Sequence, residues 1–434
     1  MTFRLVTGMG LLALMLGSST ALAATLEGPL QIMVSRDRQE LKVYDGATVV
    51  AHSRVSTGKA GHATPTGIFS ILEKKRKHFS NIYNNAPMPF MQRLTWSGIA
   101  LHASSSVPAH PASHGCVRMP HDFAKTLFNL TQRGGHVLVT DRETAPQRVT
   151  HAKLFEPAAL APEQELLSDA SLRPAFPDEG QESVEVAMSN HVPDKPEPTA
   201  HPERQAPVRI LITRAGERES LRELQTLLST LGYETGVADG LHGRRTSAAI
   251  RAFQEAENRK ADGMITPDLI AAVYARAGKG MPPHGRLLVR RKFEPVLDVP
   301  LTIDAPQIAL GTHFLLARNV DTVKGSADWY GVTLRNDLSP ATMKRLGIET
   351  PADAEAGDAL AAVLDRLDIP ADIRIRVSAL LSEGASLSIS DTGLGQETGA
   401  GTDFITVTRE IAGKAATPPA GKKRRKASSI VAVN

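Results

Sequence analysis

The chain has 434 residues, a formal charge of +4, a single cysteine, and hydrophobic and charged fractions of 41% and 22%. That length exceeds one ordinary core and predicts two or three domains, with the composition of a soluble globular protein. The basic excess sits in Lys422, Lys423, Arg424, Arg425 and Lys426. The remainder is close to neutral, so nucleic acid is left out of the expected partners.

Arg4 precedes an apolar stretch over residues 11–16 and its neighbours, followed by Gly17-Ser18-Ser19-Thr20 and Ala21-Leu22-Ala23. A cationic start, a short apolar centre and an A-x-A site read as a secretory signal peptide over residues 1–23. The apolar centre falls short of the roughly 20 residues that cross a bilayer. An exported, periplasmic protein with no transmembrane helix after cleavage is expected; an uncleaved anchor is the alternative. Export gives weight to the lone Cys116, which has no partner in its own chain. In an oxidising compartment such a residue is a reactive thiol, an intermolecular partner or an inert buried side chain.

Short strands are expected at Gln31-Ile32-Met33-Val34, Leu41-Lys42-Val43-Tyr44 and Val49-Val50-Ala51, with Asp45-Gly46 as a turn. Another strand follows the proline-marked turn in Thr64-Pro65-Thr66-Gly67-Ile68-Phe69-Ser70-Ile71. Lys74-Lys75-Arg76-Lys77 reads as a solvated basic loop. Asn84-Asn85-Ala86-Pro87-Met88-Pro89-Phe90-Met91 is too proline-rich for regular structure. Ser97-Gly98-Ile99-Ala100-Leu101-His102 is strand-like, and a Ser/Pro-rich loop turns the chain back to Ser113-His114-Gly115-Cys116-Val117-Arg118. A helix over His121-Asp122-Phe123-Ala124-Lys125-Thr126-Leu127-Phe128 and a strand at Val137-Leu138-Val139 close this β-rich region near residue 142.

Cys116 has the company a nucleophilic thiolate requires: a histidine to take its proton, positive charge to lower its pKa, and a glycine that permits close approach. His102, His110, His114 and Cys116 match no standard zinc spacing, so neither metal nor cofactor is expected. The run Ser113-His114-Gly115-Cys116-Val117-Arg118 with His102, together with "STGKAGHATPTGIFSI", resembles the YkuD-type L,D-transpeptidases over residues 28–142. His110 stands where relatives carry tyrosine. The resemblance implies a β-sandwich-like catalytic domain. It also implies Cys116 as nucleophile, His102 as base, backbone around Gly115 and Cys116 as an oxyanion site, and His114 in support. Arg118 would anchor a peptide carboxylate or stabilise the loop through a salt bridge, Ser113 would orient the loop, and Trp96 would line the cleft with Met88 and Phe90, a core role for these three being the alternative.

Residues 143–208 are rich in Pro, Glu, Ala and Ser and read as a disordered linker. Leu221, Leu224, Leu227, Leu228 and Leu231 then have helical spacing, and "LQTLLSTLGYETGVADGLHGRRTSAAIRAFQ" resembles the three-helix peptidoglycan-binding module over residues 215–278. Residues 284–410 mix strands (Leu287-Leu288-Val289, residues 299–303, Phe404-Ile405-Thr406-Val407) with helices over residues 358–367 and after Pro370. They are expected to form an α/β domain without assigned chemistry. Gly393, Gly395, Gly399 and Gly401 read as a hairpin tip. The tail at 411–434 is solvated, or contacts an anionic surface.

A multidomain chain is thus expected: a β-rich catalytic domain, a small all-α binding domain and a mixed α/β C-terminal region. By resemblance its partner is peptidoglycan, with a stem tetrapeptide as acyl donor and an amine as acceptor, yielding cross-links between diamino acids through a cysteine thioester. An L,D-carboxypeptidase using water, or a non-catalytic wall-binding scaffold, are the alternatives.

Overall fold

A computed structural model describes residues 28–80, 85–159, 206–395, 397–399 and 401–408. The expected leader, residues 160–205 of the expected linker and the basic tail lie outside the described residues.

The first region contains β1 (Gln31–Ser35), β2 (Glu40–Asp45), β3 (Thr48–Arg54), β4 (Gly67–Ser70), β5 (Glu73–Lys75), β6 (Met91–Arg93), β7 (Ala100–Ala103), β8 (Val117–Met119), α1 (His121–Leu130) and β9 (His136–Thr140). β2 and β3 turn at Gly46, whose φ of +61° suits a residue without a side chain. Two sheets result, one running β4-β9-β1-β2-β3 with a further strand beyond β4, the other β5-β6-β7-β8. Between them, Ile32, Val34, Val43, Phe69, Leu101, Val117 and Val139 build one core, against which α1 buries Ala124 and Leu127. All five residues of β1 and all five of β9 are buried. A strand covered on both faces loses the apolar–polar alternation, which is why these segments read as continuous apolar runs.

The second cover is the C-terminal domain. β10 (Gln147–Val149), β11 (Val208–Arg214), β12 (Gly285–Arg291), β13 (Glu294–Ile303), β14 (Thr312–Asp321), β15 (Ser326–Leu334), β16 (Leu367–Asp368) and β17 (Ser386–Ser390) form an eight-stranded sheet, ordered β10-β15-β14-β17-β11-β12-β13-β16. Its Phe314, Leu316, Val332 and Leu334 pack on Met33, Tyr44, Ile68 and Leu138 of the first domain. At about 1.5–3 kcal/mol per fully buried large apolar side chain, that seam joins the two sheets. Arg318 adds an ion pair with Asp45 across it. The opposite face is covered by α6 (Ala359–Asp365) and α7 (Ala371–Ser378).

The structure moves two expected boundaries. Residues 143–159 fall at the start of the expected linker, yet β10 pairs with β15. Leu154 and Phe155 are buried, and the Phe155 carbonyl accepts from Trp329 Nε1 at 2.9 Å. A two-residue apolar plug is enough to anchor a Pro/Glu-rich segment. β11, at the expected linker's end, is the middle of the large sheet, antiparallel to β12 and parallel to β17.

The three-helix module is therefore inserted between two neighbouring strands. Its helices are α2 (Glu217–Thr230), α3 (Arg244–Ala256) and α4 (Pro267–Arg276), packed through Leu224, Leu228, Ile250, Phe253, Leu269 and Val273. Its two Asp-Gly turns are built alike. Gln225 Oε1 accepts from Gly240 N–H at 2.8 Å and Gln254 Oε1 from Gly263 N–H at 2.8 Å, while each amide donates to the preceding aspartate.

α5 (Pro340–Arg345) is short and opens on Ser339, whose hydroxyl accepts from Thr342 N–H. The last described strand does not return to its own domain. β18 (Thr406–Val407) pairs antiparallel with β4 as the sixth strand of the first sheet.

Candidate active site

β7 and β8 are parallel neighbours in the register Leu101↔Val117, His102↔Arg118, Ala103↔Met119. Side chains alternate between the faces of a strand. Leu101, Ala103, Val117 and Met119 therefore enter the core. Ala100, His102, Cys116 and Arg118 take the other face, which opens on a cavity of about 280 Å³. The 14 positions between His102 and Cys116 are closed by this pairing.

The loop that carries Ser113–Cys116 is held from both sides. Ser56 exchanges backbone hydrogen bonds with Arg118 at 3.0 and 2.9 Å, Ser113 N–H donates to the Thr57 carbonyl at 3.0 Å, and Ser56 Oγ donates to the His110 carbonyl at 2.8 Å. The Ser56-Thr57-Gly58 segment is thus the seat of the loop. Thr64 Oγ1 donates to the Gly115 carbonyl at 2.7 Å and accepts from Gly58 N–H at 2.8 Å. Gly115 has φ +117°, a backbone conformation that favours glycine, and a Cβ there would lie 2.7 Å from Ile99 Cδ1 and push that methyl aside. Ser113 Oγ donates to the Cys116 carbonyl at 2.5 Å and accepts from Gly115 N–H at 3.1 Å. Ser113 orients the loop, whereas Gly115 N–H is already engaged and is not a spare donor for an oxyanion.

His102 and Cys116 are both uncharged at rest. His102 Nδ1 lies 2.8 Å from the Ala103 carbonyl, which can only accept, so Nδ1 carries the proton and Nε2 keeps its lone pair. Burial lowers the His102 pKa to about 4, against the opposing Ala103 hydrogen bond, with Arg118 lowering it further. Cys116 Sγ donates to the Gly98 carbonyl at 3.4 Å. The sequence predicts a thiol acidified by its basic neighbours. Instead, burial pushes the Cys116 pKa up, and the Ala100 N–H, Arg93 and Arg118 offset it only in part. Desolvation outweighs charge here.

Among the described ionisable residues lining the cavity, His78, Arg93, His102, His114 and Arg118 are basic and none is a carboxylate. Arg93 is held by Glu73, Nε to Oε2 at 3.0 Å. His114 is exposed at the rim, its ring edge-on to His62 with centroids 4.9 Å apart. Burial, Lys59, His62 and Arg118 all lower its pKa. Met88 lines the cavity as expected, but Trp96 does not. Its indole is 54% exposed outside the cavity, with the Arg93 guanidinium 5.9 Å from its centroid. Phe90 also turns away, onto His121 and Phe128. The residues sequence reasoning missed are His78, Met91 and Arg93. They stand between Glu73 and Trp96, in and around the basic and proline-rich loops, and only Arg93's place on a strand beside β7 would have pointed to it.

A larger cavity of about 610 Å³ lies between the C-terminal domain and Arg142. Its histidine, His313, has both ring nitrogens engaged, by Thr333 Oγ1 and the Leu310 carbonyl at 2.9 Å each.

Residues 29–139 match the family described as the L,D-transpeptidase catalytic domain (YkuD), and residues 217–273 match the "Putative peptidoglycan binding domain". No curated protein matches the chain. Similar solved structures include an L,D-transpeptidase from Mycobacterium smegmatis, 21% identical over 26% of this chain and 59% of that one, TM-score 0.25. Another, from Xylanimonas cellulosilytica, is 26% identical over 26% and 60%, TM-score 0.24. A third, from Stackebrandtia nassauensis, is 28% identical over 27% and 58%, TM-score 0.25. The chain thus spans about three-fifths of the length of these structures. By the family matches, the chain carries a YkuD-type L,D-transpeptidase catalytic domain and, inserted in its C-terminal domain, a peptidoglycan-binding domain.

Proposed function

We propose that the protein is an exported L,D-transpeptidase that acts on peptidoglycan stem peptides and joins diamino acid residues. The observation that carries this reading is the placement of Cys116 and His102 on one face of two paired strands, with His102 Nε2 unprotonated beside a basic cavity. Cys116 Sγ attacks the carbonyl preceding the terminal D-residue and its proton passes to His102 Nε2. The C–N bond breaks, and the departing amine takes that proton, leaving a thioester. An acceptor amine then attacks the thioester and gives a proton to His102. The S–C bond breaks, and the sulfur recovers a proton. Because Gly115 N–H is committed to Ser113, the oxyanion falls to other backbone donors of the loop, among them Cys116 N–H. Arg118, whose guanidinium makes no hydrogen bond or ion pair among the described residues, receives the substrate carboxylate, and Arg93 adds to the same field. His114 at the rim meets the acceptor side. The binding module holds the polymer and raises the local concentration of stems.

Incubating the full chain with a disaccharide tetrapeptide tests the reading: D-alanine release and cross-linked dimers are expected, both lost in Cys116→Ala. Release without dimers would make it a carboxypeptidase. No release, and no carbapenem adduct on Cys116, would reject the enzyme.

A further inference from the structure

The turn between β6 and β7 sits against the nucleophile. Its Gly98 carbonyl accepts the Cys116 thiol, the next residue, Ile99, packs on Gly115, and Ala100 offers its N–H to the sulfur. Within the turn, Thr95 Oγ1 accepts from Ile99 N–H at 3.0 Å, and Gly98 N–H donates to the Thr95 carbonyl at 3.2 Å. The two outward N–H groups, of Trp96 and Ser97, point away from the catalytic domain's own chain. Both donate to the carboxylate of Glu397, at 2.8 and 3.3 Å, across 301 and 300 residues of sequence.

Glu397 belongs to the glycine-rich stretch after β17, whose described residues lie across the catalytic domain as a strap rather than as a hairpin tip. Thr398 Oγ1 accepts from Ile405 N–H at 2.9 Å. Arg290 of β12 donates to the carbonyls of Gly399 and Thr402 at 3.1 and 2.7 Å, Arg133 donates to the Gly401 carbonyl at 3.1 Å, and Arg209 of β11 faces Asp403 at 3.6 Å. Beyond it, β18 lies on β4, Thr408 N–H donates to the Thr66 carbonyl at 2.9 Å, and the adjoining Thr64 holds the Gly115 carbonyl. The strap therefore grips the catalytic domain on both sides of the Ser113–Cys116 loop, and the hairpin that carries the binding module grips the strap.

We infer that Glu397 is a positioning residue for Cys116: it fixes the 95–98 turn, and through Gly98, Ile99 and Ala100 the orientation of the sulfur and the Gly115 backbone. The catalytic domain is thereby incomplete without the end of the C-terminal domain. The turnover arm of this inference rests on the proposed acyl transfer; the thiol arm below does not.

The test is Glu397→Ala and Glu397→Gln in the full chain, the latter keeping one acceptor oxygen. Two readouts are taken: kcat and KM for D-alanine release from tetrapeptide, and the pH profile of Cys116 alkylation by iodoacetamide. Glu397→Ala is expected to lower kcat about tenfold with KM unchanged, as for lost alignment at the reacting atom. Loosening the turn admits water to a thiol held up mainly by burial. Its alkylation near neutral pH therefore rises about threefold and its profile moves to lower pH. Glu397→Gln falls between wild type and Glu397→Ala on both readouts. An alkylation profile and kcat identical to wild type would overturn the inference. So would a loss of kcat with an unmoved profile and no recovery in Glu397→Gln. If the wild type releases no D-alanine, the acyl-transfer reading fails while the alkylation profile still decides the role of Glu397.

Discussion

The neutral His102 makes a quantitative prediction about acid. Folded, His102 binds a proton only below about pH 4; unfolded, it does so around pH 6.5. Between those values the unfolded chain holds more protons than the folded one, so stability rises with pH across that window and falls on acidification. With the folded value at about 4, the loss from this group by pH 4, relative to neutral pH, is about 3 kcal/mol. Its 8% exposure leaves little solvent screening to reduce that figure. Urea unfolding of wild type and His102→Gln at neutral and acid pH isolates the contribution. The wild type should lose about 3 kcal/mol more than the variant, the other histidines being common to both. The same group sets the acid limb of catalysis, because Nε2 must be free to accept the thiol proton. Acylation of Cys116 should therefore hold nearly constant down through the ordinary histidine range and fall with a midpoint near 4. A midpoint at the ordinary value, or an acid loss shared equally by His102→Gln, would refute a buried, neutral base. Alkylation that is already maximal below neutral pH would equally refute a resting thiol.

Gly115→Ala places a Cβ 2.7 Å from Ile99 Cδ1 at φ +117°. Strain of about 1–3 kcal/mol is expected, with kcat falling more than KM changes, read by steady-state kinetics beside thermal unfolding. Gly67→Ala would set a Cβ 2.0 Å from the Thr406 carbonyl, so β18 must leave β4. Faster amide exchange at residues 406–408, with the β1–β9 ladder still protected, is the expected signature. Phe253→Ala removes the fully buried centre of the three-helix module at about 3–5 kcal/mol. Sedimentation with isolated cell wall should be lost while D-alanine release from soluble tetrapeptide persists.

What the sequence disclosed was whatever closes over short distances. One loop brings the His102 and Cys116 segments alongside each other to line one cavity, and the asymmetric company of Gly115 is visible in the letters themselves. The Asp239-Gly240 and Asp262-Gly263 turns are equally local, each answered by a glutamine on the preceding helix. Three properties were hidden because they belong to the assembled molecule. Whether a thiol is acidified or held neutral depends on desolvation by what packs over it, here Met88, Met91 and Ala100, so the basic neighbours of Cys116 misled. β11 was obscured by the proline-rich composition before it and by partners at residues 285–291 and 386–390. Trp96 follows the strand that bears Arg93, yet its turn faces Glu397 instead of the cavity.

The insertion of the three-helix module between β11 and β12 leaves it two covalent tethers on adjacent strands. A module on a single flexible leash samples a wide sphere; one rooted at both ends keeps its heading. Polymer gripped there would be presented to the sulfur from a narrow range of directions. New bonds in the wall would then form beside the strand being held, at a spacing set by the protein's own dimensions.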